Sequence, residues 1–111
     1  MAVYIPKKGA FIAETLDPQS GHEQKGRRPA LVVSNDLFNK HTGLAIVCPI
    51  TNTDRDFPFH VAIPDEAKVS GFVMVEQVKS IDFRSRKVRR IGEAPRRLLD
   101  EVLAIVDACI Y

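Results

Sequence analysis

The sequence predicts a mainly β fold with α: six or seven short strands in a small, strongly bent antiparallel sheet or barrel, then one C-terminal helix. Three observations predict it. Short apolar runs recur along residues 9–91 and are separated by turn residues. Residues 57–63 alternate apolar and polar side chains, the period of a half-buried strand. Only the last segment, 98–110, changes to helical spacing.

The strands follow one another with a turn signal after each. The predicted strands are 9–16, 30–33, 44–50, 57–63, 71–75, 77–83 and 88–91. A bend or bulge near Glu76 separates the fifth strand from the sixth. Residues 35–40 are predicted to form one short helical turn, and residues 64–70 a loop.

The C-terminal helix is predicted from seven apolar side chains on one face and from Pro95, which suits a first helical turn. The helix is expected to cover one opening or one face of the sheet. The seven residues are Leu98, Leu99, Val102, Leu103, Val106, Cys109 and Ile110.

Length and composition indicate a single domain spanning residues 1–111, with 45% hydrophobic residues to build one core. No apolar run approaches the roughly 20 residues that cross a bilayer, and no apolar segment of a secretion signal follows the N-terminal lysines. Cys48 and Cys109 each lie in an apolar segment, which favours buried, reduced thiols over a disulfide. These features predict a cytoplasmic protein without membrane contact.

The formal net charge of +2 decides nothing by itself, but the basic residues concentrate in segments 25–28 and 79–90, with Arg96 and Arg97 just beyond. Such clusters suggest an anionic partner, and nucleic-acid phosphate is the usual one. The alternative is an ordinary solvated face on a slightly basic protein.

Residues 17–34, DPQSGHEQKGRRPALVVS, form the most informative segment. A polar loop carrying His22, Glu23 and Arg28 leads directly into a buried-type strand. Loops anchored to a rigid strand in this way are where binding and catalysis concentrate.

These residue types match the requirements of metal-independent RNA cleavage. A carboxylate or histidine can take the 2′-hydroxyl proton, and Glu23 and His22 are the candidates. Arg28 can clamp phosphate oxygens, and the hydroxyl of Thr51, which follows strand 44–50, can donate to the same oxygens. If strands 30–34 and 44–50 pair, Arg28 and Thr51 lie near one sheet edge.

Simpler interpretations stay open for each group. Glu23 can merely pair with Lys25 or Arg27 in the loop, and Thr51 can be a turn residue at a strand end. The histidines, His22, His41 and His60, show no metal-ligand spacing, and no nucleotide-binding or acyl-transfer motif occurs, so neither metal nor cofactor is expected.

The loop segment closely resembles the signature of the MazF/PemK (Kid) toxins of bacterial toxin–antitoxin modules. Further matches follow in order along nearly the whole chain, without a large insertion. They are Phe38-Asn39, Pro49-Ile50-Thr51, the F-P-F at 57–59, and V-E-Q-V-K-S-I-D at 75–82 with Arg84 and Arg86.

The resemblance implies an SH3-like β-barrel (CcdB/PemK-like) with a C-terminal helix, acting as a homodimer. It implies a sequence-specific endoribonuclease that cuts single-stranded mRNA without a metal, leaving a 2′,3′-cyclic phosphate and a 5′-hydroxyl. It also implies a cognate, MazE-like antitoxin that covers the RNA site with an acidic tail.

By position, the resemblance makes Arg28 and Thr51 catalytic and assigns Glu23 to proton transfer. His22 takes a histidine position placed in RNA binding, and it is the second candidate for the base. The remaining residues predicted to bind RNA are Gln24, Lys25, Gln77, Lys79 and Arg86. Arginine is effectively always protonated in proteins, so Arg28 is assigned mainly to charge stabilisation, with proton donation left open.

One departure limits the transfer of mechanism. Some Kid-like members use an Arg-x-Asp pair before the conserved glutamine, and here those positions are Met74 and Glu76. Two alternatives stay open: a non-enzymatic, CcdB-like toxin that binds DNA gyrase, and an RNA-binding module without activity.

Overall fold

The computed structural model describes residues 4–15 and 27–111 of the 111-residue chain. Within these residues, seven strands and two helices follow in the predicted order, so the mainly β fold with a C-terminal helix is confirmed. The strands are β1 (Ala10–Thr15), β2 (Arg27–Val32), β3 (Leu44–Thr51), β4 (His60–Ala62), β5 (Phe72–Met74), β6 (Lys79–Asp82) and β7 (Arg89–Glu93). The helices are α1 (Asp36–Thr42) and α2 (Arg96–Ile110).

The strands form one antiparallel sheet in the order β4-β5-β3-β2-β1-β7, and β6 pairs with β3 as well. β3 is the central strand. One of its edges pairs with β2, and its other edge pairs with β6 near Leu44 and with β5 at Thr51. Within the described residues, no ladder joins β4 to β7, so the sheet is strongly bent but open at that seam.

The bent sheet has a hydrophobic core on each face. Because successive strand residues point to opposite faces, Leu31 packs in the core beneath α2, whereas Ala30 and Val32 pack in the other. Burial on both faces explains why β2 and β3 read as continuous apolar runs rather than as alternating ones.

The connection between β2 and β3 is helix α1, which extends the helical turn predicted at 35–40 to Thr42. The Asn35 side chain caps it by accepting from the Phe38 amide at 2.8 Å, and Gly43 ends it in the left-handed region at φ 75°. Asn39 is fully buried and donates to the Pro6 carbonyl at 2.7 Å, which fastens the N-terminal segment to α1.

The predicted strand at 57–63 is wrong for its first half, because β4 begins only at His60. The His60 amide donates to the Phe57 carbonyl at 2.9 Å, so the chain turns there instead of extending. Phe57 and Phe59 remain 41% and 39% exposed. The bend predicted near Glu76 is present as a 3-10 turn, Val75–Gln77.

Helix α2 packs its apolar face on the sheet, with Leu98 and Val102 buried. The prediction of this apolar face is wrong at the C-terminal end of the helix, because Cys109 and Ile110 are exposed. Both cysteines are free thiols as predicted, but only Cys48 is buried. In the parts of the chain that the structure describes, no helix is long and apolar enough to cross a membrane.

Candidate functional site

Arg28 and Thr51 come together because β2 and β3 pair. The observed register sets Ala30 opposite Pro49, and Arg28 and Thr51 each lie two residues beyond that pair on their own strands. Residues two apart on a strand project to the same face, and both Arg28 and Thr51 line the same two cavities. The sequence prediction that these two residues share one sheet edge is therefore confirmed, whereas their catalytic roles stay predictions.

Both residues line two adjoining cavities. We call these two cavities together the groove. The first cavity has a volume of about 500 Å³, and the second about 520 Å³. The other residues that line the first are Ala13, Pro29, Ile50, Asn52, Lys68, Val69, Ser70 and Ile91. The others that line the second are Arg55, Phe57, His60, Met74, Glu76 and Gln77.

Arg28 presents an open guanidinium to the groove. Its side chain is exposed, and no hydrogen bond or ion pair joins it to another residue of 4–15 or 27–111. A guanidinium offers five N–H donors in a planar fork that matches two oxygens of a phosphate. The position therefore suits a phosphodiester ligand.

Thr51 is the half-buried last residue of β3. Its hydroxyl oxygen accepts a hydrogen bond from the Thr53 amide at 3.2 Å. Since that contact uses a lone pair, the hydroxyl hydrogen stays available for donation. Thr51 can thus donate to an anion beside Arg28.

Lys79 and Arg86 both bind one buried carboxylate, Glu14. Glu14 is only 2% exposed, and its oxygens lie 3.5 Å from Lys79 Nζ and 3.2 Å from Arg86 Nη1. Glu14 is also the register partner of Arg28 across β1 and β2. Sequence reasoning missed Glu14, although a carboxylate inside an otherwise apolar strand was a usable signal.

His60 and Glu76 form a second pair that sequence reasoning did not assign to the site. His60 Nε2 lies 2.9 Å from Glu76 Oε2, and the His60 side chain is 3% exposed. Gln77 follows Glu76 in the 3-10 turn and lines the same cavity, where the sequence predicts RNA contact.

Four predicted site residues, His22, Glu23, Gln24 and Lys25, lie outside the described residues, so their roles stay predictions. Across residues 4–15 and 27–111, no cluster of three His, Cys, Asp or Glu side chains could hold a metal ion.

The fold is that of a bacterial toxin known from a toxin–antitoxin complex. The chain superposes on "Crystal structure of MazE-MazF (Form-II) from Deinococcus radiodurans" with a TM-score of 0.89 and 40% identity, covering 97% of each chain. Residues 7–110 match the family described as PemK-like, MazF-like toxin of type II toxin-antitoxin system. This chain belongs to that family.

Two curated relatives from Escherichia coli K12 are similar over almost their whole length. "Endoribonuclease toxin ChpB" is 38% identical over 109 residues, which cover 94% of this chain and 93% of ChpB. "Endoribonuclease toxin MazF" is 33% identical over 107 residues, which cover 96% of each. The family resemblance seen in the sequence is thereby confirmed.

Proposed function

We propose that this protein is the toxin of a type II toxin–antitoxin module and an endoribonuclease that cleaves single-stranded mRNA without a metal. The observation that carries the proposal is that Arg28, with its open guanidinium, and Thr51 both line one groove. Family membership and relatives named as endoribonucleases support it.

The chemistry follows from what the transition state needs. The 2′-oxygen attacks phosphorus and loses its proton to a base, either Glu23 or His22. The bond from phosphorus to the 5′-oxygen breaks, and that oxygen gains a proton. The products are a 2′,3′-cyclic phosphate and a 5′-hydroxyl.

Arg28 and Thr51 act on the charge that builds up during this step. The five-coordinate phosphate carries more negative charge on its non-bridging oxygens than the starting diester does. The Arg28 fork and the Thr51 hydroxyl donate to those oxygens, so both bind the transition state more strongly than the ground state. DNA lacks the attacking 2′-hydroxyl, which makes the reaction specific for RNA.

The proposal extends to the setting of the reaction. Residues 1–111 form one toxin domain that works as a cytoplasmic homodimer, and a cognate MazE-like antitoxin covers the groove with an acidic tail. Support for the antitoxin comes from the Deinococcus radiodurans neighbour, which is a MazE-MazF structure. The gyrase-binding alternative draws no support from relatives named as endoribonucleases.

The test is cleavage of a long single-stranded RNA of known sequence in EDTA, with analysis of both product ends. The wild type should produce 5′-hydroxyl and 2′,3′-cyclic phosphate ends. Arg28→Ala should lower the rate by about 100- to 1,000-fold. Arg96→Ala, which removes an exposed arginine from α2, is the matched control and should cleave normally.

Unchanged cleavage by Arg28→Ala would contradict its assignment. Salt-dependent RNA binding by the wild type without any product would instead identify an inactive RNA-binding module.

A further inference from the structure

The second cavity of the groove has the composition of a nucleobase site. Its volume of about 520 Å³ falls in the roughly 300–1,000 Å³ range of small-molecule sites. Its lining combines Arg28 and Thr51 with an aromatic ring, a carboxylate and an amide: Phe57, Glu76 and Gln77. Arg55, His60 and Met74 complete the lining. A base entering it lies next to the phosphate that Arg28 and Thr51 would hold.

Phe57 provides a fixed aromatic surface. Its ring packs edge-to-face on Phe59, with centroids 5.6 Å apart, and on His60, with centroids 5.2 Å apart. It is nevertheless 41% exposed. An exposed ring held by two edge-on neighbours stacks a base at a low entropic cost, and stacking tolerates any base because every base has a π face.

Glu76 supplies the polar contact that distinguishes bases. One of its oxygens, Oε2, bonds His60 Nε2 at 2.9 Å, and its side chain is 30% exposed. An ionised carboxylate only accepts hydrogen bonds. The other oxygen, Oε1, is therefore left to accept from a ligand in the cavity that Glu76 lines.

His60 sets the orientation of Glu76. Its Nδ1 is buried and has no hydrogen-bond partner within the described residues. A buried N–H without an acceptor is costly, so a hydrogen on Nε2, donated to Glu76 Oε2, suits this environment better than a hydrogen on Nδ1. His60 is thus a positioning residue for the carboxylate.

We propose that this cavity binds a nucleobase beside the scissile phosphate, that Phe57 stacks on it, and that Glu76, held by His60, selects bases with an exocyclic amino group. Adenine and cytosine present that amino donor on the Watson–Crick edge, and guanine presents one beside its N1–H. Uracil presents two carbonyl oxygens there, one on each side of its only N–H, and the carboxylate repels them. The inference rests on the proposed function and names the substrate feature that this part of the groove recognises.

Binding of 2′-O-methyl hexamers of A, C and U tests the proposal, because these oligonucleotides cannot undergo the transesterification. The wild type should bind the A and C hexamers about tenfold more tightly than the U hexamer. Glu76→Gln keeps the size of the side chain but adds a donor, and should bring the three affinities within about threefold. His60→Phe keeps a ring against Phe57 but cannot hold Glu76, and should also narrow the preference for the A and C hexamers over the U hexamer.

Two further variants separate selection from general binding. Phe57→Ala should weaken all three hexamers together, by about 5- to 150-fold. Glu66→Gln neutralises a carboxylate that pairs with Arg97 away from the cavity, and should leave the A and C preference intact.

Equal wild-type affinity for the three hexamers, or a preference that survives Glu76→Gln, would overturn the proposal. Cleavage of unmodified RNA, measured in parallel, reports separately on the nuclease. A protein that prefers A and C but cleaves nothing would overturn the proposed function and keep the base selection.

Discussion

Gly71 lies directly against the carbonyl oxygen of Thr51. A Cβ at Gly71 would overlap that oxygen and approach Asn52 Oδ1 to 3.1 Å, and the Gly71 backbone has φ 123°. Because Thr51 pairs with Phe72, the residue after Gly71, the glycine lets β5 close on the end of β3. The position of the Thr51 side chain thus depends on a residue without a side chain.

Gly71→Ala should therefore damage activity as well as stability. The nearest obstructing atom is the backbone oxygen of Thr51, so the end of β3 must move, and misplaced donors stabilise the transition state less. We expect at least tenfold slower RNA cleavage per folded molecule, measured alongside a urea unfolding curve.

Gly43→Ala is the control for Gly71→Ala. Gly43 also has a positive φ, 75°, but nothing lies within 4 Å of a Cβ there. It should lose about 1 kcal/mol of stability from backbone strain and retain full activity per folded molecule. Equal activity of the two variants would contradict the role given to Gly71.

The hydroxyl group of Thr51 should matter more for catalysis than the volume of the side chain. Thr51→Val has nearly the same volume but no donor, and should lower kcat by about 100-fold. Thr51→Ser keeps the donor and should stay within about tenfold of the wild type. Single-turnover cleavage in EDTA distinguishes the two, and a Val variant as fast as the Ser variant would rule out hydroxyl donation.

Because Glu14 is buried and its two partners are not, removing the carboxylate and removing the partners should lower the free energy of unfolding by different amounts. Its partners Lys79 and Arg86 have side chains that are 43% and 35% exposed, whereas that of Glu14 is 3% exposed. Glu14→Gln leaves two cations that water can solvate, and should lower the free energy of unfolding by about 1 kcal/mol. The double variant Lys79→Ala, Arg86→Ala leaves a buried unpaired carboxylate, and should lower the free energy of unfolding by about 3 kcal/mol.

Urea unfolding at pH 7 measures both free energies. The reverse order, with Glu14→Gln as the more damaging change, would show that the carboxylate is not the member of the cluster that needs its partners.

The two thiols should differ in reactivity. Burial, and then the nearby charge of Glu76, raise the pKa of Cys48 to about 12. At pH 8 only about one Cys48 in ten thousand is then a thiolate, the form that attacks disulfide reagents. A disulfide reagent should therefore react with one thiol of the native protein, the exposed Cys109, and with both thiols in urea. Rapid reaction of both thiols in the native protein would contradict the burial of Cys48.

The sequence predicted the paired central strands well, because their burial on two faces leaves an unmistakable apolar run. The same pattern placed Arg28 and Thr51 at one edge of the sheet. Arg28 comes just before the apolar run 30–33, and Thr51 directly follows the run 44–50. It failed at Phe57 and Phe59, where alternating aromatic residues suggested a strand face but instead pack on each other outside the sheet.

Contacts between distant segments were beyond the reach of local patterns. Glu14 and Arg86 are 72 residues apart, and nothing near either one indicates the other. The His60–Glu76 pair likewise depends on β4 lying beside β5, which neither short strand reveals alone. Cys109 was misplaced because helical spacing shows which side a residue faces, but not where the sheet beneath it ends.

The central place of β3 has a consequence for opening motions. Its backbone bonds to three other strands, so fraying it would break several ladders together. Amides in such a segment exchange their hydrogens with solvent only through global unfolding. The strand that carries Thr51 is therefore among the last parts of the molecule to become accessible to a cellular protease.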